Sequence, residues 1–187
     1  MKKLTIAEMN RLTVEAYHDA EKLPLVAVLD NVRSQHNVGA VFRTADAFRL
    51  QGICLCGICC CPPNAEIHKT ALGAENTVEW SYFSETIDAV HALHEAGFQV
   101  YAVEQAHGSV TLDEFTRQHA PSKMAIVLGH EVFGVKQEVV DACDGCIEIP
   151  QYGTKHSLNV SVTAGIVMYT LSQYLRNINP ELSTIPS

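Results

Sequence analysis

Two unbroken apolar runs, Leu25-Val26-Ala27-Val28-Leu29 and Met124-Ala125-Ile126-Val127-Leu128, constrain this chain more than anything else in it. Neither alternates with polar residues. Each therefore needs apolar cover on both faces, which is what inner strands of a parallel sheet receive from helices. Further strands are expected at 52–57, 77–80, 98–103 and 147–149, and helices at 38–48, 65–72, 86–96, 137–142 and from Leu158 onward. Strands alternating with helices at these lengths predict one α/β domain over 1–187, with a mostly parallel sheet flanked by helices and ligands outside the carboxyl ends of the strands. An amphipathic helix near 5–20, with Met9, Leu12 and Ala16 on one face, is expected to act as a packing lid within 1–22. Residues 177–187 read as a loose tail.

Charge and cysteine content narrow the partners. Acidic residues outnumber basic ones by 21 to 13, so attraction to a polyanion must come from a local basic patch, and no DNA partner is expected. Glu8 and Arg11 interrupt the start of the chain before any run of signal-peptide length. The apolar segment 158–171 is too short to span a bilayer and carries Asn159, Ser161 and Thr163, so no membrane partner is expected either. Seven cysteines, five of them between Cys54 and Cys61, read as reduced thiols in a cytoplasmic protein. They are numerous enough for a metal or redox site, yet Cys54 and Cys56 alternate in a strand and serve equally as small core residues. No metal site is assigned.

The chemistry is expected where three loops follow strand ends. Pro150 stops a strand, a polar loop follows, and Ser157 and Asn159 are helix-capping types ahead of Val160, Ala164, Val167, Met168, Leu171 and Leu175 at helical spacing. A loop ending on a helix N-terminus offers free backbone groups to a ligand with carboxylate or hydroxyl groups. The other loops are 31–37, with Asn37 as a candidate N-cap, and 129–134. Together they bring Asn37, Arg43, Glu131, Ser157 and Asn159 to one edge, with Gly39, Gly129, Gly134 and Gly153 permitting close backbone approach. Neither a G-x-G-x-x-G nor a P-loop pattern is present, and His130-Glu131 lacks the second histidine of a zinc motif, since Gly134 stands there.

Asn37-Val38-Gly39-Ala40-Val41-Phe42-Arg43-Thr44-Ala45, Ile126-Val127-Leu128-Gly129-His130-Glu131-Val132-Phe133-Gly134, and Ile147-Glu148-Ile149-Pro150 running to Ser157-Leu158-Asn159-Val160-Ser161 resemble the three ordered motifs of the TrmH-like (SpoU) branch of the SPOUT methyltransferases. The resemblance covers roughly 25–175. It implies a C-terminal deep trefoil knot, a homodimer with its sites at the subunit interface, bound S-adenosylmethionine, and methyl transfer to a ribose 2′-hydroxyl of tRNA or rRNA.

Carried over by position, Arg43 is the catalytic arginine and Asn37 its positioning partner, while Glu131, Ser157 and Asn159 hold the site together. The cofactor slot would be lined by Ala102, Val103, Glu104, Gly129, Glu131, Gly134, Ile149, Ser157, Leu158 and Asn159. RNA contacts would come from Arg33, Arg43, Arg49, Lys69, Lys136 and Lys155, as phosphate contacts without sequence readout. Deprotonating an arginine costs several kcal/mol at neutral pH, so gripping a phosphate and steering the hydroxyl outweighs base action as the role of Arg43. Two other readings remain: a non-catalytic RNA-binding relative, and a thiol-based metal or redox protein.

Overall fold

A computed structural model describes residues 1–5, 7–118 and 120–183. Its centre is a parallel sheet of seven strands in the order β3-β2-β1-β6-β4-β7-β5. These are β1 (Leu23–Asp30), β2 (Leu50–Cys56), β3 (Trp80–Phe83), β4 (Gln99–Val103), β5 (Val110–Thr111), β6 (Met124–Leu128) and β7 (Gly145–Glu148). Every pairing is parallel, and β1 and β6, the two apolar pentads, lie side by side in the middle with Leu25 opposite Met124 and Leu29 opposite Leu128.

Two-sided burial follows the alternation of side chains along a strand. Leu25, Ala27 and Leu29 enter one core together with Ile126 and Leu128. That core is covered by α2 (Gln35–Phe48), α3 (Ala65–Ala71), α5 (Leu112–Arg117) and α7 (Val160–Ile178). Val26 and Val28 enter the other core with Ala125 and Val127, covered by α4 (Thr86–Glu95) and α6 (Gln137–Ala142). All six residues expected on the inner stripe of α7 are buried.

Four expectations change. The N-terminal segment is not one helix: a 3-10 turn, Ala7–Met9, ends at Asn10 with φ 45, and α1 (Val14–Asp19) starts afresh with Thr13 accepting from the Ala16 N–H at 3.2 Å. Met9 is exposed, and Tyr17 is the residue that reaches the core, so the segment is no lid over 1–22. The third strand starts at Trp80 because Ala74–Asn76 coils into a 3-10 turn. The short pair β5 and α5 has too few residues to carry a period, although Thr111 and Glu114 form a capping box that marks it. At the end of the chain α7 runs to Ile178, and a 3-10 turn, Pro180–Ser183, buries Leu182 against the core, so 177–183 is no loose tail; residues 184–187 lie outside the described residues.

Candidate active site

The parallel sheet delivers the loops 31–34, 104–109, 129–136 and 149–159 to one edge, the carboxyl ends of β1, β4, β6 and β7. Between them lies a cavity of about 1170 Å³, lined by Glu104, Gly129, Glu131, Phe133, Ser157 and Asn159 among others.

Glu131 is its organising group. Its carboxylate accepts from the backbone N–H groups of Arg33 at 3.0 Å and Ser34 at 2.9 Å, and from Nδ2 of Asn37 at 3.0 Å. Oδ1 of Asn37 in turn accepts from Nδ2 of Asn159 at 3.2 Å. Oδ1 of Asn159 accepts from the Ser161 and Val162 N–H groups and so starts α7. One chain of hydrogen bonds therefore ties the start of α2 to two segments that lie 94 and 122 residues further along the chain. Partial burial pushes the Glu131 carboxyl up, but the three N–H donors outweigh it and hold its pKa below the ordinary value.

Asn37 is not the N-cap of α2. Ser34 is, accepting from the Asn37 N–H at 3.3 Å, which frees both ends of the Asn37 amide for its two distant partners.

The loop 129–134 closes on itself through paired backbone bonds between His130 and Gly134. A Cβ on Gly129 would stand 2.1 Å from the Gly134 carbonyl carbon, and Gly134 has φ 68, so the turn requires glycine at both places. Gly39 lies instead against α3, and Gly153 faces open space, so neither opens backbone to this cavity.

Of the expected cofactor residues, Val103, Glu104, Gly129, Glu131, Gly134, Ile149, Ser157, Leu158 and Asn159 all line the cavity. Ala102 does not: it is fully buried in β4 and faces the core covered by α4 and α6. Arg43 is exposed on α2 outside the cavity of its own chain. It lies six residues beyond Asn37, or about 9 Å along the helix axis.

The expected RNA contacts divide. Arg33, Arg43 and Lys155 are exposed and make no ion pair among the described residues. Lys69 is paired with Glu66 at 2.6 Å, and Lys136 lies 3.7 Å from Glu85. Arg49 sits at the far end of α2 with φ 53 and donates to the Leu182 carbonyl at 2.9 Å, so its guanidinium closes the fold and does not face the site.

The thiols are shaped by burial. Burial pushes Cys59 up to about 11 and Cys143 to about 12, the reverse of an activated thiolate. Cys59 is bound within the core, accepting from the Val32 N–H at 3.1 Å. Among the described residues no group of three His, Cys, Asp or Glu is placed to hold a metal ion.

Sequence reasoning missed Asp30. This fully buried carboxylate at the end of β1 accepts from Oγ1 of Thr86 at 2.6 Å, Nδ2 of Asn31 at 2.8 Å and the Lys136 N–H at 2.9 Å, which pins the chain just beyond the 129–134 turn. An Asp closing an apolar run was the signal available.

Residues 24–169 match the model of the SpoU rRNA Methylase family. The chain belongs to that family. The matched SpoU region runs from β1 into α7, so Asn37, Glu131 and Asn159 all fall inside it. Similar SpoU-type proteins include the 23S rRNA (guanosine-2′-O-)-methyltransferase RlmB of Neisseria meningitidis serogroup B, 31% identical over 145 residues, which are 78% of this chain and 56% of that protein. The protein of the same name from Vibrio cholerae is 36% identical over 146 residues, 78% of this chain and 58% of its own. The chain thus spans a little over half the length of these curated relatives. Among solved structures, the A. aeolicus TrmH/SpoU tRNA modifying enzyme aligns with a TM-score of 0.76 at 28% identity, covering 91% of this chain and 83% of its own. An AdoMet-bound rRNA methyltransferase from Sinorhizobium meliloti aligns at 0.74 and 28% identity, covering 85% and 60%.

Proposed function

We propose that this chain transfers a methyl group from S-adenosylmethionine to a ribose 2′-hydroxyl of tRNA or rRNA. The observation that carries the reading is the Glu131–Asn37–Asn159 tie at the wall of a cavity of about 1170 Å³, in a chain of the SpoU family. The relatives support the chemistry: two are named for guanosine 2′-O-methylation of 23S rRNA, one for tRNA modification, and one is a structure with AdoMet bound.

The cavity suits that cofactor. Its walls carry the carboxylates of Glu104, Asp141 and Glu148, which favour a ligand bearing sulfonium and ammonium charge. The backbone of 129–134 and 157–159 offers donors and acceptors for polar edges. When bound, the cofactor supplies an electrophilic methyl group. The chain's part is to seat it, exclude water and present the ribose hydroxyl in line. Asn37 and Glu131 fix the start of α2, and with it the helix that carries Arg43. Arginine keeps its proton at neutral pH, so Arg43 grips a substrate phosphate and stabilises the oxygen as its proton departs to solvent.

Arg43 lies outside its own cavity, so in this reading it serves the cavity of a second copy. The exposed apolar residues Phe133, Leu158, Val162, Ile166 and Tyr169 beside the cavity and along α7 supply the face of a homodimer. The C-terminal part is read as a deep trefoil knot. Its support is that β7 lies between β4 and β5, and that α7 returns to pack on α2 and β1. In this reading the protein works in the cytoplasm; among the described residues no helix is long and apolar enough to cross a membrane.

Calorimetric titration with S-adenosylhomocysteine tests the reading. Micromolar binding near one per chain is expected. No binding at millimolar ligand by the folded protein overturns it.

A further inference from the structure

A second cleft, of about 620 Å³, opens between α3 and β3 on the side of α3 turned away from α2. It is lined by Pro62, Pro63, Asn64, His68, Asn76 and Trp80, with Glu75 beneath. Trp80 is the chain's one tryptophan and is 37% exposed, a large flat surface left in reach of solvent. The polar groups around it are held in place. Oδ1 of Asn64 is occupied by capping α3, accepting from the Glu66 N–H at 2.9 Å and the Ile67 N–H at 3.2 Å, which leaves its amide N–H₂ to donate. Asn76 is exposed, and among the described residues its amide makes no side-chain hydrogen bond, which leaves it a donor and an acceptor. Nδ1 of His68 is fixed 2.5 Å from the Glu75 carboxylate, whose side chain is 8% exposed and also accepts from the Gly73 N–H at 3.0 Å. That pairing orients the imidazole and leaves Nε2 for a ligand.

We propose that this cleft holds one unpaired base of an RNA, stacked on Trp80 with its edge read by Asn64 and Asn76 and its sugar or phosphate met by His68. A stacking surface beside amide donors and an acceptor matches a nucleobase. Among the described residues no lysine or arginine lines the cleft, so it is no simple phosphate site. Placement points the same way. The other face of α3 packs on α2, where Gly39 abuts Ile67 and Thr70, so one helix separates the cleft from the helix of Arg43. In this proposal a strand held at Arg43 passes across α3 into the cleft. The net charge of −8 gives little general attraction to phosphate, and stacking supplies affinity that charge does not. The choice of RNA over other flat ligands rests on the methyltransferase reading.

Trp80 is its own reporter. Titration with a short single-stranded oligoribonucleotide is expected to quench its fluorescence saturably, and S-adenosylhomocysteine, bound at the distant cavity, is expected to leave it nearly unchanged. Trp80→Leu and Asn76→Ala are each expected to weaken binding of dye-labelled RNA roughly ten-fold, without altering S-adenosylhomocysteine affinity. The proposal is overturned if RNA binds with Trp80 unquenched and both variants bind RNA like the parent. It is overturned too if a proline-rich peptide quenches Trp80 where RNA does not. The two readings separate: cofactor binding without quenching removes only the cleft, and quenching without cofactor binding leaves the cleft and removes the methyltransferase.

Discussion

The two ends of α2 are both locked by bonds to remote parts of the chain, yet they serve opposite purposes. At the start, Ser34 and Asn37 are held by Glu131 and Asn159 beside a cavity, and the polar groups stay partly open to solvent. At the finish, Arg49 and Arg176 direct their guanidinium groups at the Leu182 carbonyl, and Arg176 also donates to the Phe48 carbonyl at 3.0 Å; the turn around Leu182 is packed shut. An arginine surrounded by unpaired carbonyls completes a fold. Arg43, exposed and without an ion pair among the described residues, is the arginine left for a substrate in the proposed reading.

This contrast is open to direct attack. The largest effect is expected for Arg43→Ala, which should lower methyl transfer by about 100-fold or more while S-adenosylhomocysteine affinity stays within a few-fold. Mixing Arg43→Ala and Glu131→Ala subunits in equal amounts should restore roughly a quarter of the parental rate, because about half of the dimers are then mixed and each of those rebuilds one of its two sites. No recovery on mixing would overturn the reading that Arg43 serves the cavity of a second copy. Glu131→Ala alone strands three donors and should weaken S-adenosylhomocysteine about ten-fold, measured by calorimetry.

The other end of α2 should respond in reverse. Arg49→Ala should lose about 1–3 kcal/mol of stability in urea and leave cofactor affinity untouched; weakened cofactor binding there would erase the distinction between the two ends. The smallest effect concerns acid. The Glu131 carboxyl is held below its ordinary 4.5 in the folded chain. Its contribution is therefore complete above 4.5 and fades as pH falls through the depressed folded value. Melting curves of the parent should lose this increment on acidification, whereas those of Glu131→Gln should lack it throughout.

The strands that build the centre were legible because β1 and β6 are apolar without interruption, a pattern only two-sided burial explains. The stripe of α7 was legible for the same reason, with Val160 to Leu175 repeating over a long helix. The triad of loops was legible through the order of the three motifs, but the bonds within it were not. Asn37 looked like a cap because asparagine caps helices, and only the folded chain shows Ser34 in that place. Arg49 looked like an RNA contact because its destination, the Leu182 carbonyl, lies 133 residues away in sequence. Ala102 lies one residue inside the strand end, buried in the core covered by α4 and α6, while Val103 and Glu104 at the end of the strand reach the cavity.

The strand order has a consequence for how the site comes into being. β6 and β7 are made late, yet both take interior places in the sheet, β6 between β1 and β4 and β7 between β4 and β5. A chain still emerging from the ribosome can pair β1, β2 and β3, but it carries no Glu131 and no Asn159. The edge that carries the proposed methyl transfer exists only once both strands and the loop to Asn159 have been made, so a product cut short before Glu131 holds part of the sheet and none of the Glu131–Asn37–Asn159 tie.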